Sequence, residues 1–263
     1  MKCPFADQSV VITGASDGIG AELARQLADQ GAWLTLGARR SHELDVVAQD
    51  CIARGGRAVY EATDVTDPAQ CGHLISHAVS SYGKIDVLIN NAGVGAHFRF
   101  ADTADLTVFE QIIRVNYLGT VYCSHFALPH LQKSRGRLVS VTSMAAKTGV
   151  PARTAYAASK HALHGFFDSL RIELHDTGVS VTLVVPGFVK TNLRRHALGA
   201  DGQPIRAESQ RGAMSAEECS RIALRAIARR EREVVMRSNW KLAAILKVFA
   251  PGYIDGVARR SVE

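Results

Sequence analysis

The sequence predicts a single-domain α/β fold, a doubly wound parallel sheet of about seven strands with helices on both faces. Short runs of β-branched and other apolar residues alternate with longer segments whose apolar residues recur at helical spacing. This alternation requires parallel strands joined by right-handed helical crossovers. The chain has 263 residues, 47% of them hydrophobic, and no linker or internal repeat interrupts the pattern, so we expect one domain over 1–263.

The first half of the chain supplies four strands and three helices. Each strand is a short apolar run of the kind that parallel sheets bury. In the first helix Ile19, Leu23 and Leu27 share one face, and Gly31 follows its end. The third helix carries Pro68 in its first turn. In chain order the segments are the strand "SVVIT", the helix "GIGAELARQLADQG", the strand "AWLTLG", the helix "HELDVVAQDCIARGG", the strand "RAVYEATDV", the helix "DPAQCGHLISHAVSSYG" and the strand "IDVLINNAG".

The second half continues the same alternation. A long helical span covers 104–131, the strand "GRLVSVTS" follows it, and a further helix covers 152–176. The sixth strand is "VSVTLVVPG", and a last strand, "EREVVM", follows a helix that begins at Ser215. Between these strands lies a polar, irregular segment, 190–213, which we interpret as a variable substrate loop.

The segment "TGASDGIG" at 13–20 joins the first strand to the first helix. Its G-x-S-x-G subset matches the nucleophile elbow of α/β-hydrolases, which would make Ser16 a nucleophile. That elbow needs an earlier strand–helix loop for its oxyanion hole, and only one strand precedes Ser16. A glycine turn for a dinucleotide pyrophosphate needs only the strand, the turn and the helix N-terminus, as in Rossmann-like folds. In this preferred interpretation Gly14 permits the tight turn, Gly18 lets the backbone approach phosphate, and Gly20 lets the helix pack on the strand.

Further motifs lie on the expected elements in the expected order. They are Asp64-Val65, "NNAG" at 90–93, Asn116, Ser143, "YAASK" at 156–160 and Pro186-Gly187. Each motif is short and common alone, but together with "TGASDGIG" they closely resemble the short-chain dehydrogenase/reductase family. The resemblance covers about residues 8–192, and the element order continues to Met236. It implies a Rossmann-like domain that transfers a hydride between a nicotinamide cofactor and a carbonyl/alcohol pair.

Tyr156 and Lys160 stand four residues apart on a predicted helix, so they share one face. A free tyrosine, with a pKa of about 10, is a poor base near neutrality. A nearby ammonium favours the phenolate and lowers that pKa, so we expect Tyr156 to exchange a proton with the substrate. For this motif alone, an ordinary surface pair is the alternative.

Ser143 lies just past the fifth strand, where its hydroxyl can hydrogen-bond the reacting oxygen. The family resemblance implies that Ser143 orients the substrate and that Tyr156 is the acid/base catalyst. It also implies that Lys160 contacts the nicotinamide ribose while tuning Tyr156, and that Asn116 holds a water beside the lysine for proton relay.

The resemblance assigns the remaining cofactor contacts residue by residue. They are Ser16 and Ile19 at the phosphates, Asp64 and Val65 at the adenine, Asn91 at the adenosine ribose, and Val189 and Thr191 over the nicotinamide carboxamide.

The end of the second strand decides between NAD and NADP. An acidic residue there would bind the ribose 2′-hydroxyl and repel a 2′-phosphate. Ala38 occupies that position and Arg39 follows it, and a guanidinium suits a phosphate, so we predict NADP, with NAD as the alternative. Asp17 departs from the pattern, since many NADP-using relatives carry a basic residue there; Arg40 is a candidate to compensate.

Composition excludes several other classes. The charge of +6 is concentrated from Lys190 onward, where 15 Lys/Arg face 8 Asp/Glu, and we interpret this mainly as a solvated surface. No stacking aromatics interleave with the arginines, so we expect no nucleic-acid partner. The five scattered cysteines predict free thiols that pack. His73 with His77, and His161 with His164, lack a third ligand, so we expect no metal. Without a signal peptide pattern, we expect a cytoplasmic protein.

Residues after the motifs are candidates to face the substrate, a small carbonyl or alcohol compound. Most are apolar, which predicts a hydrophobic substrate, although core packing is the alternative. They are Val94, His97, Phe98, Met144, Val150, Phe188, Leu193 and His196.

The C-terminal extension 239–263 carries a stripe at helical spacing, formed by Leu242, Ile245, Leu246 and Phe249. We expect it to pack on the domain or on a partner subunit, with weak contact to a membrane surface as the alternative. The family resemblance implies a homo-oligomer, a dimer or a tetramer.

The leading hypothesis is therefore an NADP(H)-dependent oxidoreductase. A non-catalytic nucleotide-binding or regulatory protein of the same fold is the second hypothesis, and the hydrolase with Ser16 is the third. The combination of Ser143, Tyr156 and Lys160 favours the enzyme, because a non-catalytic protein would not need all three.

Overall fold

A computed structural model describes residues 3–193, 196–205, 212–236 and 238–260. Parts of the predicted substrate loop and the last residues of the C-terminal extension therefore lie outside the described residues. Across the described chain, strands and helices alternate as the sequence predicts. The predicted fold class is confirmed.

All neighbouring strands of the central sheet pair in parallel. The strands are β1 (Ser9–Thr13), β2 (Trp33–Ala38), β3 (Arg57–Ala62), β4 (Val87–Asn90), β5 (Arg137–Val141), β6 (Ser180–Val185) and β7 (Glu233–Val235). Their order in the sheet is β3-β2-β1-β4-β5-β6-β7. The chain crosses from β3 over β1 to β4, so the order reverses between β1 and β4. In parallel sheets, ligands bind beyond the carboxyl ends of the strands at this switch point.

Helices cover both faces of the sheet. They are α1 (Gly18–Ala28), α2 (Ser41–Ala53), α3 (Pro68–Tyr82), α4 (Thr107–Ile113), α5 (Gly119–Ser134), α6 (Thr154–Glu173), α7 (Ala216–Ala228), α8 (Ser238–Phe249) and α9 (Pro251–Arg260). One core layer packs α1, α2 and α7 against the sheet, and the other packs α3, α5 and α6. Burial of these apolar faces is the main stabilising contribution to such a fold.

The predicted helical span over 104–131 is divided. A π-helical turn, Arg114–Leu118, separates α4 from α5, and the Gly119 N–H donates to Arg114 O across it. The wider turn coincides with Asn116, whose side chain bonds to the backbone of Val94. Such π-turns are frequent at functional sites, and the sequence pattern carries no signal for one.

The C-terminal extension forms two helices rather than one amphipathic segment. Pro251 begins α9, and a proline favours a helix start. The stripe of Leu242, Ile245, Leu246 and Phe249 is exposed, so it does not pack on the domain. Packing on a partner subunit, the other arrangement that we expected, stays a prediction. Within the described residues, no helix has the length and apolar character needed to cross a bilayer.

Candidate active site

A cleft of about 1270 Å³ opens at the carboxyl end of the sheet. The loops that follow the first six strands all contribute to its lining. Twelve of the residues predicted to contact the cofactor line it, namely Gly14, Ser16, Gly18, Ile19, Arg39, Asp64, Val65, Asn91, Tyr156, Lys160, Val189 and Thr191.

The glycines after β1 form a turn that side chains would block. Gly14 and Gly18 have φ angles of +64° and +56°, a region that favours glycine. A Cβ on Gly14 would lie 2.8 Å from Ala92 Cα. A Cβ on Gly20 would collide with the carbonyl oxygen of Gly14, and Gly20 does not line the cleft. Gly20 therefore has the packing role that the sequence predicts, and its direct contact with a cofactor stays a prediction.

Asp17 lines the cleft and caps α1, and both of its carboxylate oxygens have hydrogen-bond partners. Its Oδ1 accepts a hydrogen bond from the Gly18 N–H at 2.6 Å, and its Oδ2 accepts one from Asn192 Nδ2 at 2.7 Å. These bonds hold the carboxylate at the helix N-terminus, where a negative charge is favourable. Asp17 therefore takes a structural role here.

The Ser16 hydroxyl accepts a hydrogen bond from Arg40 Nη2 at 3.1 Å. A guanidinium stays protonated and cannot act as a general base. The hydrogen bond therefore does not activate Ser16 as a nucleophile and is compatible with a phosphate turn.

Asn91 and Thr13 hold the first turn against the end of β4. Asn91 Nδ2 donates to the carbonyl oxygens of Thr13 and Gly14, each at 3.0 Å. Thr13 Oγ1 accepts from the N–H groups of Asn91 and Ala92 at 3.0 Å. The sequence analysis did not single out Thr13, because a threonine ending a strand carries no distinctive pattern.

The adenine end of the cleft is formed after β2 and β3. Asp64 Oδ1 accepts from the Thr66 N–H and the Thr66 hydroxyl, both at 2.9 Å, which fixes the turn that presents Val65. Arg39 is exposed at the mouth and makes no side-chain hydrogen bond or ion pair with the described residues. Arg40 pairs with Glu43 at 3.2 Å.

Ser143, Tyr156 and Lys160 come together on one wall of the cleft. Ser143 lies close enough to Tyr156 to act on the pKa of its hydroxyl, and Lys160 Nζ lies 5.8 Å from the centre of the tyrosine ring. Lys160 Nζ donates to the carbonyl oxygen of Val141 at 3.0 Å. Tyr156 and Lys160 are 6% and 4% exposed, so both polar groups act in a dry environment.

The protonation of this wall differs from the expectation. Burial raises the pKa of Tyr156 above its usual value, while the Ser143 hydrogen bond and the charge of Arg153 act against that rise. The expected lowering by Lys160 is not found, because burial dominates and Arg153 is the cation that acts on the hydroxyl. Burial also lowers the pKa of Lys160 to about 8. Arg153 lies over the ring of Phe188, with its guanidinium carbon 5.8 Å from the ring centre.

Asn116 lies behind this wall and does not line the cleft. Its Oδ1 accepts from the Val94 N–H at 2.8 Å, and its Nδ2 donates to Val94 O at 3.0 Å and to Ser159 Oγ at 2.9 Å. The side chain therefore joins the loop after β4 to α6. A Cβ on Gly93 would lie 3.1 Å from Asn116 Oδ1 and 3.6 Å from Lys160 Nζ, so the Gly93 backbone passes close to both. Sequence analysis missed Ser159, a third member of this network.

Most of the predicted substrate-facing residues line the cleft. They are Val94, His97, Met144, Val150, Phe188, Leu193 and His196. Phe98 does not; it packs in a buried cluster beside the cleft, and its predicted role is corrected to core packing.

Two further surfaces of the cleft were not foreseen. One face of α4 and the π-turn supplies polar side chains, namely Thr107, Glu110, Gln111 and Arg114. The C-terminal helices supply small and apolar side chains, namely Ala243, Ile254, Val257 and Ala258. The last three are at helical spacing on α9, but the sequence analysis singled out only the more apolar stripe on α8.

A comparison with known proteins agrees with this geometry. The family model described as short chain dehydrogenase matches residues 8–200. Among curated proteins, the 11-beta-hydroxysteroid dehydrogenase-like 3 of Arabidopsis thaliana is 36% identical over 95% of this chain and 80% of its own length. The dehydrogenase/reductase SDR family member 7B of Bos taurus is 34% identical over 96% of this chain and 80% of its own length.

Solved structures show the same fold. An alcohol dehydrogenase from the archaeon Thermococcus sibiricus, complexed with 5-hydroxy-NADP, is 26% identical, with a TM-score of 0.76 over 89% of this chain and 97% of that one. A short chain dehydrogenase/reductase from Burkholderia phymatum, in complex with NAD, superposes with a TM-score of 0.85 over 95% of this chain and 96% of that one. This chain therefore belongs to the short-chain dehydrogenase/reductase family and is an oxidoreductase that acts on CH–OH groups with a nicotinamide dinucleotide.

Proposed function

We propose that the protein interconverts a hydrophobic ketone or aldehyde with the corresponding alcohol, using NADP(H), with Tyr156 as the general acid/base. The observation that carries the proposal is that Ser143, Tyr156 and Lys160 line the same wall of the cleft, with Lys160 Nζ 5.8 Å from the centre of the tyrosine ring. A dry site of this kind strengthens each hydrogen bond to the reacting oxygen.

The residues of the cleft fit a nicotinamide dinucleotide. Glycines with positive φ leave room at the N-terminus of α1, and the helix dipole there favours an anion. When bound, the nicotinamide supplies or accepts the hydride.

This chain's own residues move the proton. In reduction, the Tyr156 hydroxyl donates its proton to the carbonyl oxygen, and Ser143 donates a hydrogen bond to the same oxygen. In oxidation, Tyr156 takes the proton from the alcohol. The raised pKa of Tyr156 keeps the phenol protonated at neutral pH, which favours the role of acid.

Lys160 has one hydrogen bond, to Val141 O, among those described for its ammonium. An ammonium has three N–H groups, so two remain for the cofactor ribose and for the proton path to Tyr156. The nearby Gly93 backbone, without a side chain, leaves that space open.

Two features support NADP over NAD. No carboxylate stands at the end of β2, where Ala38 is buried, and Arg39 beside it has no partner among the described residues. Asp17, the residue that opposed this interpretation, is held by Gly18 and Asn192. A 2′-phosphate would accept charge-assisted hydrogen bonds from Arg39, while Arg40 remains with Ser16 and Glu43.

The substrate end supports a large apolar compound. Its lining includes Val94, Met144, Val150 and Phe188 from the motif loops, and α9 adds Ile254 and Val257. The names of the Arabidopsis relatives refer to a hydroxysteroid. We therefore propose an alcohol or ketone on a fused-ring or similarly bulky hydrocarbon frame.

The outer face of the C-terminal helices supports weak contact with an anionic membrane surface. Val248, Phe249 and Tyr253, beside the junction of α8 and α9, are 76%, 81% and 65% exposed. Residues 238–260 carry four Lys/Arg and one acidic residue. Anionic headgroups complement the net positive charge of this segment.

A spectrophotometric screen tests the main proposal. NADPH and NADH consumption is measured with a panel of ketones of increasing apolar size. We expect turnover that prefers NADPH and bulky ketones. In Tyr156→Phe the rate should fall by about 10²–10⁴-fold while NADPH binding persists. Tight NADPH binding without turnover of any ketone would overturn the proposal and favour a regulatory role.

A further inference from the structure

Three charged or titratable side chains, Lys147, Glu233 and His164, contact one another behind Ser143 without lining the cleft. Lys147 ends the short 3-10 turn that follows Ser143, and its ammonium lies 2.6 Å from Glu233 Oε2 on β7. His164, one helical turn beyond Lys160 on α6, places Nδ1 3.8 Å from the same oxygen. Lys147, Glu233 and His164 are not among the residues that line the cleft.

His164 fastens the start of the segment that carries Ser143. Its Nε2 lies 3.2 Å from Thr142 Oγ1, and that hydroxyl donates to Val184 O at 3.1 Å. Since the hydroxyl proton is committed to Val184, the hydroxyl must accept from His164 Nε2–H, which assigns the tautomer. Burial lowers the pKa of His164 to about 4, so the imidazole is neutral at pH 7 and its contact with Glu233 is not an ion pair there.

Lys147 fastens the end of the same segment. The pair with Glu233 is about three-quarters buried, so its attraction is less screened than that of a surface pair. Lys247 of α8 donates from Nζ to the carbonyl oxygen of Lys147 at 3.4 Å. The segment 142–147 is thus held by α6 and β6 at one end, and by β7 and α8 at the other.

Most of the backbone N–H groups between these points are hydrogen-bonded. Four consecutive N–H groups donate: Met144 to Pro186 O at 3.1 Å, Ala145 to Ser143 Oγ at 3.2 Å, Ala146 to Ser143 O at 2.9 Å and Lys147 to Met144 O at 2.9 Å. The Ser143 hydroxyl therefore takes part in this turn, so a shift of the turn moves the hydroxyl relative to Tyr156.

We propose that Lys147, Glu233 and His164 are positioning residues that keep the Ser143 hydroxyl in contact with Tyr156. The proposal rests on the proposed function for its catalytic consequence, but the ordering of segment 142–147 can be tested without a substrate. A displacement of about 1 Å at a reacting group lowers rates strongly, so a modest ion pair can matter for turnover more than for stability.

Hydrogen exchange measures the ordering directly. The variants are Lys147→Met, Glu233→Gln and the charge exchange Lys147→Glu with Glu233→Lys. The matched control is Lys84→Met, which removes an ion pair of 2.8 Å with Asp86 outside the cleft. We expect exchange at amides 144–146 to accelerate at least about threefold in both single variants, to recover in the charge exchange, and to stay unchanged in the control. Unchanged exchange in both single variants would overturn the proposal.

Kinetics with the ketone that the wild type reduces test the link to Ser143. We expect Lys147→Met to lower kcat by about tenfold while the NADPH dissociation constant changes less than twofold. In a Ser143→Ala background the same change should lower kcat less than twofold, because the group it positions is gone. Equal losses in both backgrounds would overturn the link. If the wild type reduces no ketone, the proposed function fails, and hydrogen exchange alone decides the positioning role.

Discussion

The buried ammonium of Lys160 lowers the stability of the folded protein, although the proposed reaction requires it. Its ammonium is buried, and desolvation lowers its pKa to about 8 from a usual value of 10.5. Below pH 8 the folded protein must hold a charge in a dry site, whereas the unfolded chain holds the same charge in water. This burial penalty therefore lowers the free energy of unfolding at neutral pH. Between pH 8 and 10.5 the folded state loses the proton while the unfolded state still binds it, so the free energy of unfolding rises and the penalty disappears.

Lys160→Met should accordingly stabilise the protein while it abolishes turnover. The pKa shift corresponds to about 3 kcal/mol, and the lost hydrogen bond to Val141 O removes about 1 kcal/mol of that gain. We expect the free energy of unfolding to rise by about 2 kcal/mol at pH 7, and the gain to shrink towards pH 10. Urea unfolding of the wild type and the variant at a series of pH values checks this. A gain that grows with pH would contradict the assigned burial cost.

Arg39 offers a sharper test of cofactor choice than any other exposed arginine. It lies at the mouth of the cleft without a partner among the described residues, while its neighbour Arg40 is held by Glu43. We expect Arg39→Ala to weaken NADPH binding by about 10- to 100-fold and to leave NADH binding within about twofold, because only the former carries a 2′-phosphate.

Fluorescence titration with both cofactors measures this difference. Arg57→Ala is the matched control, since Arg57 begins β3 and lies over Trp33, outside the cleft. Ala38→Asp should also lower the preference for NADPH over NADH, because the added carboxylate repels the 2′-phosphate. Equal losses for NADPH and NADH in Arg39→Ala would assign Arg39 to a shared part of the cofactor and remove the main support for NADP.

At the scale of elements, the turn between β1 and α1 depends on both conformation and space. Gly14 has a φ of +64°, and its added Cβ would lie 2.8 Å from Ala92 Cα, part of the rigid backbone after β4. Gly83 has a φ of +74° at the end of α3 but no atom within 4 Å of its added Cβ. The two glycines therefore separate conformational strain from steric collision.

Gly14→Ala should destabilise the protein more than Gly83→Ala. We expect the Gly83 variant to lose about 1 kcal/mol from φ alone, and the Gly14 variant to lose about 1–3 kcal/mol more because the turn must shift. Only the Gly14 variant should also weaken NADPH binding. Thermal unfolding and cofactor titration of both variants check this. If the two variants lose the same stability and the same NADPH affinity, the collision of the Gly14 Cβ with Ala92 is excluded.

The same scale shows what the sequence could predict. The alternation of elements and the order of motifs predicted that Ser143 and Tyr156 lie at the same edge of the sheet, and both line the cleft, because parallel strands bring their following loops to one edge. The π-turn at Asn116 and the bond to Ser159 were missed, because hydroxyl and amide groups that bond across elements leave no periodic signal. Arg153 was missed as the cation acting on Tyr156, because an effect through space depends on the path of the loop.

At the scale of the whole molecule, the C-terminal helices connect the substrate end of the cleft to the surface. Ile254 and Val257 of α9 line the cleft, while Val248 and Phe249 at the end of α8 face outward. Sequence analysis identified the stripe on α8 and expected it to pack on the domain or on a partner subunit. Helical periodicity identifies an apolar face without identifying what covers it. The bulky apolar substrate that we propose, together with an apolar outer face beside the cleft, would suit a ligand that partitions into lipid.

The proposed membrane contact predicts vesicle binding that depends on the junction of α8 and α9. We expect Val248→Ser with Phe249→Ser to lose most co-sedimentation with vesicles containing about one-third anionic lipid, and added salt to weaken the binding of the wild type. The matched control is Val46→Ser with Ile52→Ser, two exposed apolar residues of α2 at 53% and 47% exposure, which should change nothing.

Oligomeric state separates the lipid surface from a second copy of the chain. The family resemblance leads us to expect a dimer or a tetramer, and the membrane proposal leaves the outer face of α8 outside the subunit interface. Light scattering should therefore give the same molar mass for the wild type and for the Val248, Phe249 double variant. If the double variant dissociates, and the wild type does not bind anionic vesicles, the outer face of α8 belongs to the subunit interface and the membrane proposal is wrong.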